Sequence, residues 1–459
     1  MEALHGPVTA SLPDAVAWLS GLLDVEKDPR VPYARLGLAP IRALLARLAL
    51  PTDTLAAVHV AGSKGKGSTA LLAEAVLRAA GRRVGTFTSP HLRSFCERFR
   101  IDGREVEGER LAAALAAVRP HVEALRAQGP EQAPTFFDAL FAAALLLFHE
   151  ARLDHAVLEV GLGGRLDSTN AVRPAVACIT TIELEHTDRL GTTLGAIAGE
   201  KAGIAKPGVP LVVGALPDEA LAAVLERARA VAAPVARFGA ELGVEVLEAG
   251  ESAQRLLLRD GALEVAVSLP AHGREQAQNA ALAFACARRA AGLADDAAAA
   301  AARRGLASAR LPGRIEVLAR APLVVVDSAH TAASARALAA VLASLPQRRT
   351  HFVLSVSEGK ALAAILEALL PLASAVTLTR AEPRRSLDPA EIAAAVRRAS
   401  PGLPLRVVPN PHLALRAAAE ALGPGDGLCA TGSVYLAGIA REVLGGSPTP
   451  WSASRHASA

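Results

Sequence analysis

The sequence predicts an α/β protein built from parallel sheets in two domains. Short apolar runs rich in β-branched residues, such as residues 55–61 and 155–160, alternate with longer stretches of helical periodicity. Continuous apolar strands of this kind are typical of parallel sheets covered by helices on both faces. The length of 459 residues exceeds one ordinary core and favours two or three domains.

The elements of the first domain follow in order from the amino end. Residues 15–50 have helical spacing interrupted by the sequence DPRVPY, and residues 68–80 predict a helix. The apolar stretch 136–148 predicts a core helix, because it is too short to cross a bilayer. Hairpins are expected over 235–268, then a helix from Glu275 and an Ala-rich helix over 294–308. Strands are predicted at 55–61, 82–89, 155–160, 175–182 and 209–214.

The sequence LPGR, residues 311–314, indicates a linker to a second, smaller domain. That domain again alternates strands with helices, which predicts a Rossmann-like α/β fold. We therefore expect domains at 1–308 and 309–445, followed by a flexible tail at 446–459. The predicted strands of the second domain are RIEVL, PLVVVDSAH, HFVLSV, AVTLTR, LRVVP and GLCATGS.

Composition and charge exclude several classes of protein. Hydrophobic residues make up 51% and charged residues 20% of the chain, which argues against disorder. Aromatic residues are 3%, too few for a platform that stacks single-stranded nucleic acid. The net charge is +4 without a basic run, so small anionic substrates are favoured over nucleic acid. Four widely spaced cysteines and the absence of a signal-peptide pattern predict a cytoplasmic protein with no membrane partner.

Lysine is rare in this chain and is concentrated in motifs. Lysine and arginine are interchangeable on a solvated surface, but not where a compact ammonium or a neutral amine is required. Four of the six lysines lie in two short motifs, which therefore receive most weight. The six are Lys27, Lys64, Lys66, Lys201, Lys206 and Lys360.

The first of these motifs is VAGSKGKGST, residues 60–69, between a predicted strand and a predicted helix. Glycines at Gly62, Gly65 and Gly67 allow successive N–H groups to face one anion, and the helix adds its positive end. Lys66 could reach the β- and γ-phosphates of a nucleotide, and Ser68 or Thr69 could face Mg²⁺. The alternative is a glycine turn that caps a helix, since the strict Walker spacing is not met.

Three further strand ends carry candidate residues. Glu159 precedes a glycine turn and could bind the Mg²⁺ of a nucleotide, although a glutamate that caps a loop is about as common. His186 follows an apolar run, and a single histidine is more often structural than a ligand. Lys201 indicates a need for an amine that can lose its proton; the alternative is an ion pair with Glu200 or another acid.

In the second half, the candidates again follow predicted strands. Arg314 is the last residue of the linker, just after the predicted hinge, and Asp327 could bind ribose hydroxyls. His330 could meet an anionic or amine substrate, and Ser433 lies in a turn of small residues. Each signal is weak by itself, but their shared position at strand ends strengthens the set.

Taken together, the motifs resemble those of the folylpolyglutamate synthase and dihydrofolate synthase family, within the Mur-type amide ligases. The resemblance is ordered and extends from about residue 20 to 445. The motifs that carry it are HVAGSKGKGST, TSPHL, VLEVGLGGRLDSTN, EKAGIAKPG and LPGR.

The resemblance implies a fold and an activity. It implies a P-loop parallel-sheet ATPase domain followed by the smaller α/β domain, acting as a ligase with ATP and Mg²⁺ as cofactors. Such enzymes convert a folate-type carboxylate to an acyl phosphate, which the amine of L-glutamate attacks. The expected substrates are ATP, L-glutamate and dihydropteroate or a reduced folate, bound by a monomer.

The resemblance also assigns roles to individual residues. It implies that Lys66 and Ser68 cradle phosphate, that Lys201 becomes carbamylated as a second metal ligand, and that Asn279, Arg314 and Asp327 contact the nucleotide. The incoming glutamate is implied at His330 and Ser433. The metal set is Ser89, Glu159, His186 and Lys201; the catalytic set is Lys66, Glu159, His186, Lys201 and His330; the nucleotide set also includes Gly62, Gly65, Gly67 and Thr69.

The sequence departs from the family pattern at several positions. The second domain reads DSAHT, where the family usually reads DGAHN, which bears on the identity of the amino acid. The departures are Lys64 for Asn, Asp138 for Glu, Glu185 for Asp, Glu275 for His, and Ser328 and Thr331 in DSAHT.

Two alternatives remain at this stage. A cell-wall peptide synthetase would need a nucleotide-sugar domain before the glycine loop, and we expect too few residues there for one. A nucleotide-binding homologue that has lost ligase chemistry, or uses another substrate, is favoured by DSAHT. The second metal site implied by Ser89, Glu159, His186 and Lys201 argues against it.

Overall fold

The computed structural model describes residues 11–25, 33, 36–345, 349–423 and 425–445. The predicted tail at 446–459 and most of the DPRVPY segment lie outside these residues. The chain forms two compact units. Unit 1 comprises residues 1–247, 255–269 and 276–309, and unit 2 comprises 248–254, 270–275 and 310–459.

Unit 1 contains one large sheet. Its strands are β1 (Ala56–Ala61), β2 (Val84–Phe87), β3 (Phe99–Ile101), β4 (Arg104–Glu105), β5 (His155–Glu159), β6 (Val176–Ile179), β7 (Leu211–Val213) and β8 (Val235–Arg237). They pair in the order β4-β3-β2-β5-β1-β6-β7-β8. The six strands β2, β5, β1, β6, β7 and β8 are parallel to one another. Strands β3 and β4 extend the sheet beyond β2 and are antiparallel. The sequence did not predict this antiparallel extension.

Helices cover this sheet. They are α1 (Leu12–Ser20), α2 (Leu38–Arg47), α3 (Lys66–Ala79), α4 (Gly108–Arg126), α5 (Phe136–Glu150), α6 (Thr187–Leu190), α7 (Leu194–Ala202), α8 (Asp218–Ala230), α9 (Arg274–Ala290) and α10 (Asp295–Ser308). The predicted core helix is α5, which Thr135 and Asp138 cap with reciprocal hydrogen bonds to each other's backbone N–H. Its aromatic and aliphatic side chains pack with those of α1, α2 and α4 in one buried cluster.

The prediction of hairpins over 235–268 is wrong for the first residues of this range. Residues 235–237 form β8, which pairs in parallel with β7 in the large sheet. A short run of three residues carries too little pattern to distinguish a sheet edge from a hairpin. A separate three-stranded sheet follows, in the order β11-β10-β9, from β9 (Leu242–Ala249), β10 (Gln254–Asp260) and β11 (Leu263–Leu269).

Unit 2 contains a six-stranded sheet. Its strands are β12 (Glu316–Arg320), β13 (Leu323–Val326), β14 (Arg349–Leu354), β15 (Ala373–Leu378), β16 (Leu405–Val407) and β17 (Asp426–Thr431). They pair in the order β12-β13-β17-β14-β15-β16, parallel except for β12. Its helices are α11 (Ala332–Ser344), α12 (Leu362–Leu369), α13 (Pro389–Ala399), α14 (Pro411–Glu420) and α15 (Val434–Gly445).

This architecture confirms the predicted α/β class with parallel sheets. The residues that the structure describes include no helix with the length and apolar character needed to cross a membrane. In both units some candidate residues, among them Gly62, Ser89 and His330, lie in loops that follow parallel strands, where ligands of such sheets usually bind. Others, such as Lys201 and Asn279, are on helices.

Candidate active site at the glycine loop

The glycine loop connects β1 to α3 at the centre of the large sheet. Gly65 has a φ of 82° and directly precedes the helix, a conformation that costs other residues energy. Gly62 also has a positive φ, and a Cβ atom there would lie 1.9 Å from Thr180 Oγ1. Glycine is therefore required at both positions, and the N–H groups at the start of α3 are of the kind that attracts anions.

Lys66, the first residue of α3, folds back over the loop. Its ammonium group donates to the carbonyl oxygens of Gly62 at 2.9 Å and of Ser63 at 3.3 Å. These contacts hold a positive charge at the position where the N-terminus of α3 is also positive. The arrangement suits a polyphosphate, as the motif predicts.

Glu159, at the carboxyl end of β5, lies against the same loop. Its side chain is buried, and a Cβ atom on Gly67 would approach its Oε2 to 3.3 Å. The backbone N–H of Ser89 donates to Glu159 Oε2 at 2.9 Å. The structure thus brings together two of the four predicted metal-site residues, next to the first turn of α3.

Buried Asp167 fixes the turn that follows Glu159. Its Oδ2 accepts hydrogen bonds from the backbone N–H groups of Gly161 and Leu162, both at 3.0 Å. Burial raises the pKa of Asp167 to about 6, although the hydrogen bonds oppose the shift. The sequence analysis missed this role, which an aspartate six residues after a glycine could have suggested.

The other side of the loop carries three lysines and one carboxylate. Glu185 binds Lys64 Nζ through Oε2 at 3.2 Å and Lys201 Nζ through Oε1 at 3.1 Å. Lys201 Nζ also donates to Gly62 O at 3.0 Å, the oxygen that Lys66 contacts. The acid that pairs with Lys201 is therefore Glu185; Glu200 binds Arg165 instead.

Charge and burial shift two pKa values in this cluster. Burial lowers the pKa of Lys201 to about 8; repulsion from Lys66 adds to the shift and Glu185 opposes it. Burial acts to raise the pKa of Glu185, but Lys66, Lys201 and Lys64 together hold it at about 2. The carboxylate is thus ionised at neutral pH, while a fraction of the Lys201 side chains is neutral.

His186 follows Glu185 and is exposed, with a φ of 49°. Its ring makes no hydrogen bond with any described residue. The described part of the chain contains no cluster of three or more His, Cys, Asp or Glu side chains able to hold a metal. The predicted metal-site residues therefore form two groups around the loop, Ser89 with Glu159 at Gly67, and Lys201 with the Glu185–His186 segment at Gly62.

Asn279, on α9, lies beside the loop as predicted for a nucleotide residue. Thr69 Oγ1 donates to its Oδ1 at 3.3 Å, and a Cβ atom on Gly65 would lie 2.4 Å from the same oxygen. Ser68 and Thr69 are buried in the first turn of α3. The loop residues predicted from the motif and Asn279 thus form one contiguous site.

The candidates of unit 2 follow two neighbouring strands, β13 and β17. Asp327 is buried, and its two oxygens accept N–H groups from Ile315 at 2.8 Å and Ala329 at 2.7 Å. Arg314 donates to Ser328 Oγ. Both carboxylate oxygens of Asp327 thus accept hydrogen bonds from backbone groups. In the structure Asp327 therefore fixes the turn after the linker.

His330 and Ser433 lie in the loops after β13 and β17. His330 Nδ1 is 2.8 Å from the carbonyl oxygen of Ser328, and the residue is half-buried. Ser433 is buried directly before α15, and its Oγ accepts from the N–H of Tyr435 at 3.2 Å. Because the two strands are adjacent and parallel, both residues lie at the carboxyl edge of the six-stranded sheet.

Two family models match the chain. The Mur ligase middle domain matches residues 60–287, and the Mur ligase glutamate ligase domain matches residues 313–434. The dihydrofolate synthase/folylpolyglutamate synthase of Mycobacterium tuberculosis is 36% identical over 470 residues, which cover 95% of this chain and 96% of that protein. The chain belongs to the dihydrofolate synthase/folylpolyglutamate synthase family.

Further comparisons agree with this family. A solved structure of Mycobacterium tuberculosis folylpolyglutamate synthase complexed with ADP superposes with a TM-score of 0.85 at 34% identity, covering 96% of this chain and 99% of that one. A probable bifunctional folylpolyglutamate synthase/dihydropteroate synthase of Halobacterium salinarum is 40% identical over 74% of this chain. The chain spans 41% of that longer protein.

Two departures from the family pattern contact each other. Lys64, where the family usually has Asn, forms the 3.2 Å ion pair with Glu185, where it usually has Asp. The departures in DSAHT also have local partners: Ser328 binds Arg314, and Thr331 caps α11 by accepting from the N–H of Ser334. The sequence marked these positions as unusual, but it did not show that the first two form a pair.

Proposed function

We propose that the chain is an ATP-dependent, ADP-forming ligase that joins L-glutamate to a folate-type carboxylate through an acyl phosphate. The acceptor is dihydropteroate, a folylpolyglutamate or both. The observation that carries the proposal is the glycine loop with Lys66 and Glu159 packed against it, in a chain 36% identical to a dihydrofolate synthase/folylpolyglutamate synthase along 95% of its length.

The nucleotide would bind at the glycine loop. The N–H groups at the start of α3 and the ammonium of Lys66 would supply positive charge for the phosphates. Asn279 is placed beside Gly65 and Thr69, which supports a role at the same site. Arg314 and Asp327 remain proposed nucleotide contacts, in the proposed glutamate-ligase domain 309–445.

The donors beside the loop fit Mg²⁺. Glu159 is a buried carboxylate, and the buried hydroxyl of Ser68 is in the adjacent first turn of α3. Hard oxygen donors of this kind, few in number, suit Mg²⁺, which keeps water and phosphate in its shell. We propose Ser89, Glu159 and His186 as its protein partners. Ser89 and Glu159 already contact each other at Gly67, whereas His186 belongs to the group at Gly62 and would join them when the ion binds. When bound, the ion would neutralise charge that develops on the phosphate oxygens.

Lys201 is proposed to become carbamylated and to hold a second metal ion. The reaction with CO₂ requires the neutral amine, and burial lowers the pKa of Lys201 to about 8. The neighbouring Glu185 carboxylate favours the ammonium instead, since its Oε1 accepts from Lys201 at 3.1 Å. His330 and Ser433 are proposed to contact the incoming glutamate at the edge of the sheet in unit 2.

We further propose that the protein works in the cytoplasm as a monomer. All four cysteines, Cys96, Cys178, Cys286 and Cys429, are buried and unpaired, which fits a reducing compartment. The proposed partners are ATP, L-glutamate and a pteroate or reduced folate, without nucleic acid. The interspersed charges of the sequence support small anionic ligands.

The test is an ADP-release assay with the purified full chain, ATP, Mg²⁺ and L-glutamate, comparing dihydropteroate with tetrahydrofolate. We expect ADP formation that requires both glutamate and one of the two acceptors. Mass spectrometry of the folate product should show the added glutamyl residue. ATP binding without ADP formation on any pteroate or folate would instead support the non-catalytic homologue that DSAHT suggests.

A further inference from the structure

Lys64 lies in the glycine loop with its backbone fixed on both sides. Its N–H donates to Thr181 Oγ1 at 2.8 Å, and its carbonyl oxygen accepts from Thr180 Oγ1 at 2.6 Å. Both threonines follow β6, so the end of this strand holds residue 64 in place. Because the backbone of Lys64 is fixed, its ammonium group stays within one side-chain length of the loop.

The loop carries an excess of positive charge. Three ammonium groups, of Lys64, Lys66 and Lys201, surround the one carboxylate of Glu185. With Lys201 as an unmodified ammonium, three positive charges and one negative charge leave a formal charge of +2 on the cluster. The buried Glu159 carboxylate on the other side of the loop lowers the formal charge around the loop to +1, and carbamylation of Lys201 would lower it further. This excess lies at a loop whose N–H groups already attract an anion, and it would favour a ligand with several negative charges.

The three lysines differ in accessibility. The side chain of Lys201 is 3% exposed, whereas that of Lys64 is 34% exposed. Lys66 donates to two carbonyl oxygens of the loop. Of the two lysines that pair with Glu185, Lys64 is therefore the one whose ammonium group solvent reaches. An ion pair that solvent reaches is weak, so Lys64 can leave Glu185 at low cost.

We propose that Lys64 is a second phosphate-binding lysine, which leaves Glu185 and contacts the terminal phosphate of a bound nucleoside triphosphate. The inference rests on the proposed function, because it assumes that the loop binds nucleotide. Glu185 acts as a positioning residue that keeps the ammonium beside the loop before nucleotide binds. The added cation selects nucleoside triphosphates over diphosphates, and diphosphates over monophosphates.

The test measures dissociation constants of ATP, ADP and AMP by titration calorimetry at fixed Mg²⁺ and ionic strength. We expect Lys64→Gln to weaken ATP binding about tenfold, equivalent to about 1.4 kcal/mol, with a smaller loss for ADP and none for AMP. Lys64→Arg keeps the charge and should stay within about threefold of the wild type. The matched control Lys360→Gln, at an exposed lysine of unit 2, should bind all three nucleotides like the wild type.

Glu185→Gln separates phosphate binding from a structural role of the ion pair. If Lys64 binds phosphate, this variant should bind ATP at least as tightly as the wild type, because Lys64 is released. The proposal is overturned if Glu185→Gln reproduces the loss seen in Lys64→Gln. It is also overturned if Lys64→Gln weakens all three nucleotides equally or leaves ATP binding unchanged. Lys64→Met serves as a second neutral variant if Lys64→Gln does not keep the wild-type circular dichroism spectrum.

These measurements need no turnover, so the two proposals can fail separately. A wild-type chain that shows the expected binding pattern but forms no ADP supports the role of Lys64 and contradicts the ligase proposal. A chain that forms ADP with glutamate and folate, but lacks the pattern in Lys64→Gln, contradicts the role of Lys64 alone.

Discussion

The carboxyl edges of the two sheets share a topology but differ in how their charges are neutralised. At the edge in unit 1, Lys64, Lys66 and Lys201 share one carboxylate, Glu185. At the edge in unit 2, both oxygens of Asp327 accept backbone N–H groups. The first edge keeps positive charge available for a ligand, whereas the second uses its buried acid to hold its own loops.

This difference indicates what each edge is suited to, taken by itself. Positive charge that is already in place can stabilise phosphate without reorganisation, which is the main requirement of phosphoryl transfer. Buried Asp327 accepts two backbone N–H groups and so stabilises the turn that positions Arg314, Ser328 and His330. Under the proposed function, substitutions at the edge in unit 1 are therefore expected to act through charge, and those at the edge in unit 2 through loop geometry.

The largest expected effect comes from removing charge at the first edge. Lys66→Ala should lower kcat/KM for ATP at least about 10³-fold, because it removes a cation fixed at the phosphate site. The measurement is ADP release under saturating glutamate and acceptor. Lys360→Ala, in unit 2, is the control and should retain wild-type rates. Activity of Lys66→Ala within tenfold of the wild type would remove the loop lysine from the mechanism.

At the second edge, the change Asp327→Asn should act mainly on stability. Asn offers one acceptor oxygen where two N–H groups, of Ile315 and Ala329, now bind, so one N–H stays buried without a partner. We expect the free energy of unfolding to fall by about 2–3 kcal/mol in urea titrations. Asp388→Asn is the matched control: this exposed residue accepts one N–H, from Ala390, which Asn can also bind. Equal, small effects in both variants would contradict this role of Asp327 in the turn. Weaker ATP binding in Asp327→Asn would support the proposed nucleotide contact.

The smallest expected effect is a pH dependence at the first edge. The pKa of Glu185 is about 2 in the folded chain, below the ordinary glutamate value of 4.5, because three lysines outweigh its burial. Its contribution to stability is therefore complete above pH 4.5 and is lost as the pH falls from 4.5 towards 2. The stability difference between the wild type and Glu185→Gln should shrink by about 1–2 kcal/mol between pH 6 and pH 3. The measurement is urea unfolding without nucleotide or metal; a constant difference across this range would contradict the three-lysine arrangement.

Much of the fold could be predicted because its signals are local. The strand of apolar residues 55–61, the glycine loop and the helix after it appear in the structure as β1, the loop and α3, which begins at Lys66. The helix from Glu275 and the helix over 294–308 appear within one residue of their expected starts, as α9 and α10. Each of these elements is specified by periodicity or by glycine within about 15 residues.

The errors fall where the pattern is short or the pairing is distant. Residues 235–237 were expected in a hairpin, but β8 joins the large sheet beside β7. The antiparallel strands β3 and β4 carry only three and two residues. Runs of this length do not reveal which partner completes their backbone hydrogen bonds, because the partner is chosen by the order of the whole sheet.

By itself, the sequence determined the fold class, the glycine loop and the family motifs, because these depend on neighbouring residues and on backbone angles that glycine permits. The tertiary structure decided which side chains meet. Lys64 and Glu185 are 121 residues apart, and their contact exists because β1 and β6 are neighbours in the sheet. Contacts of this kind follow from strand order, which a local pattern does not contain, and they place one carboxylate between two lysines of the candidate site.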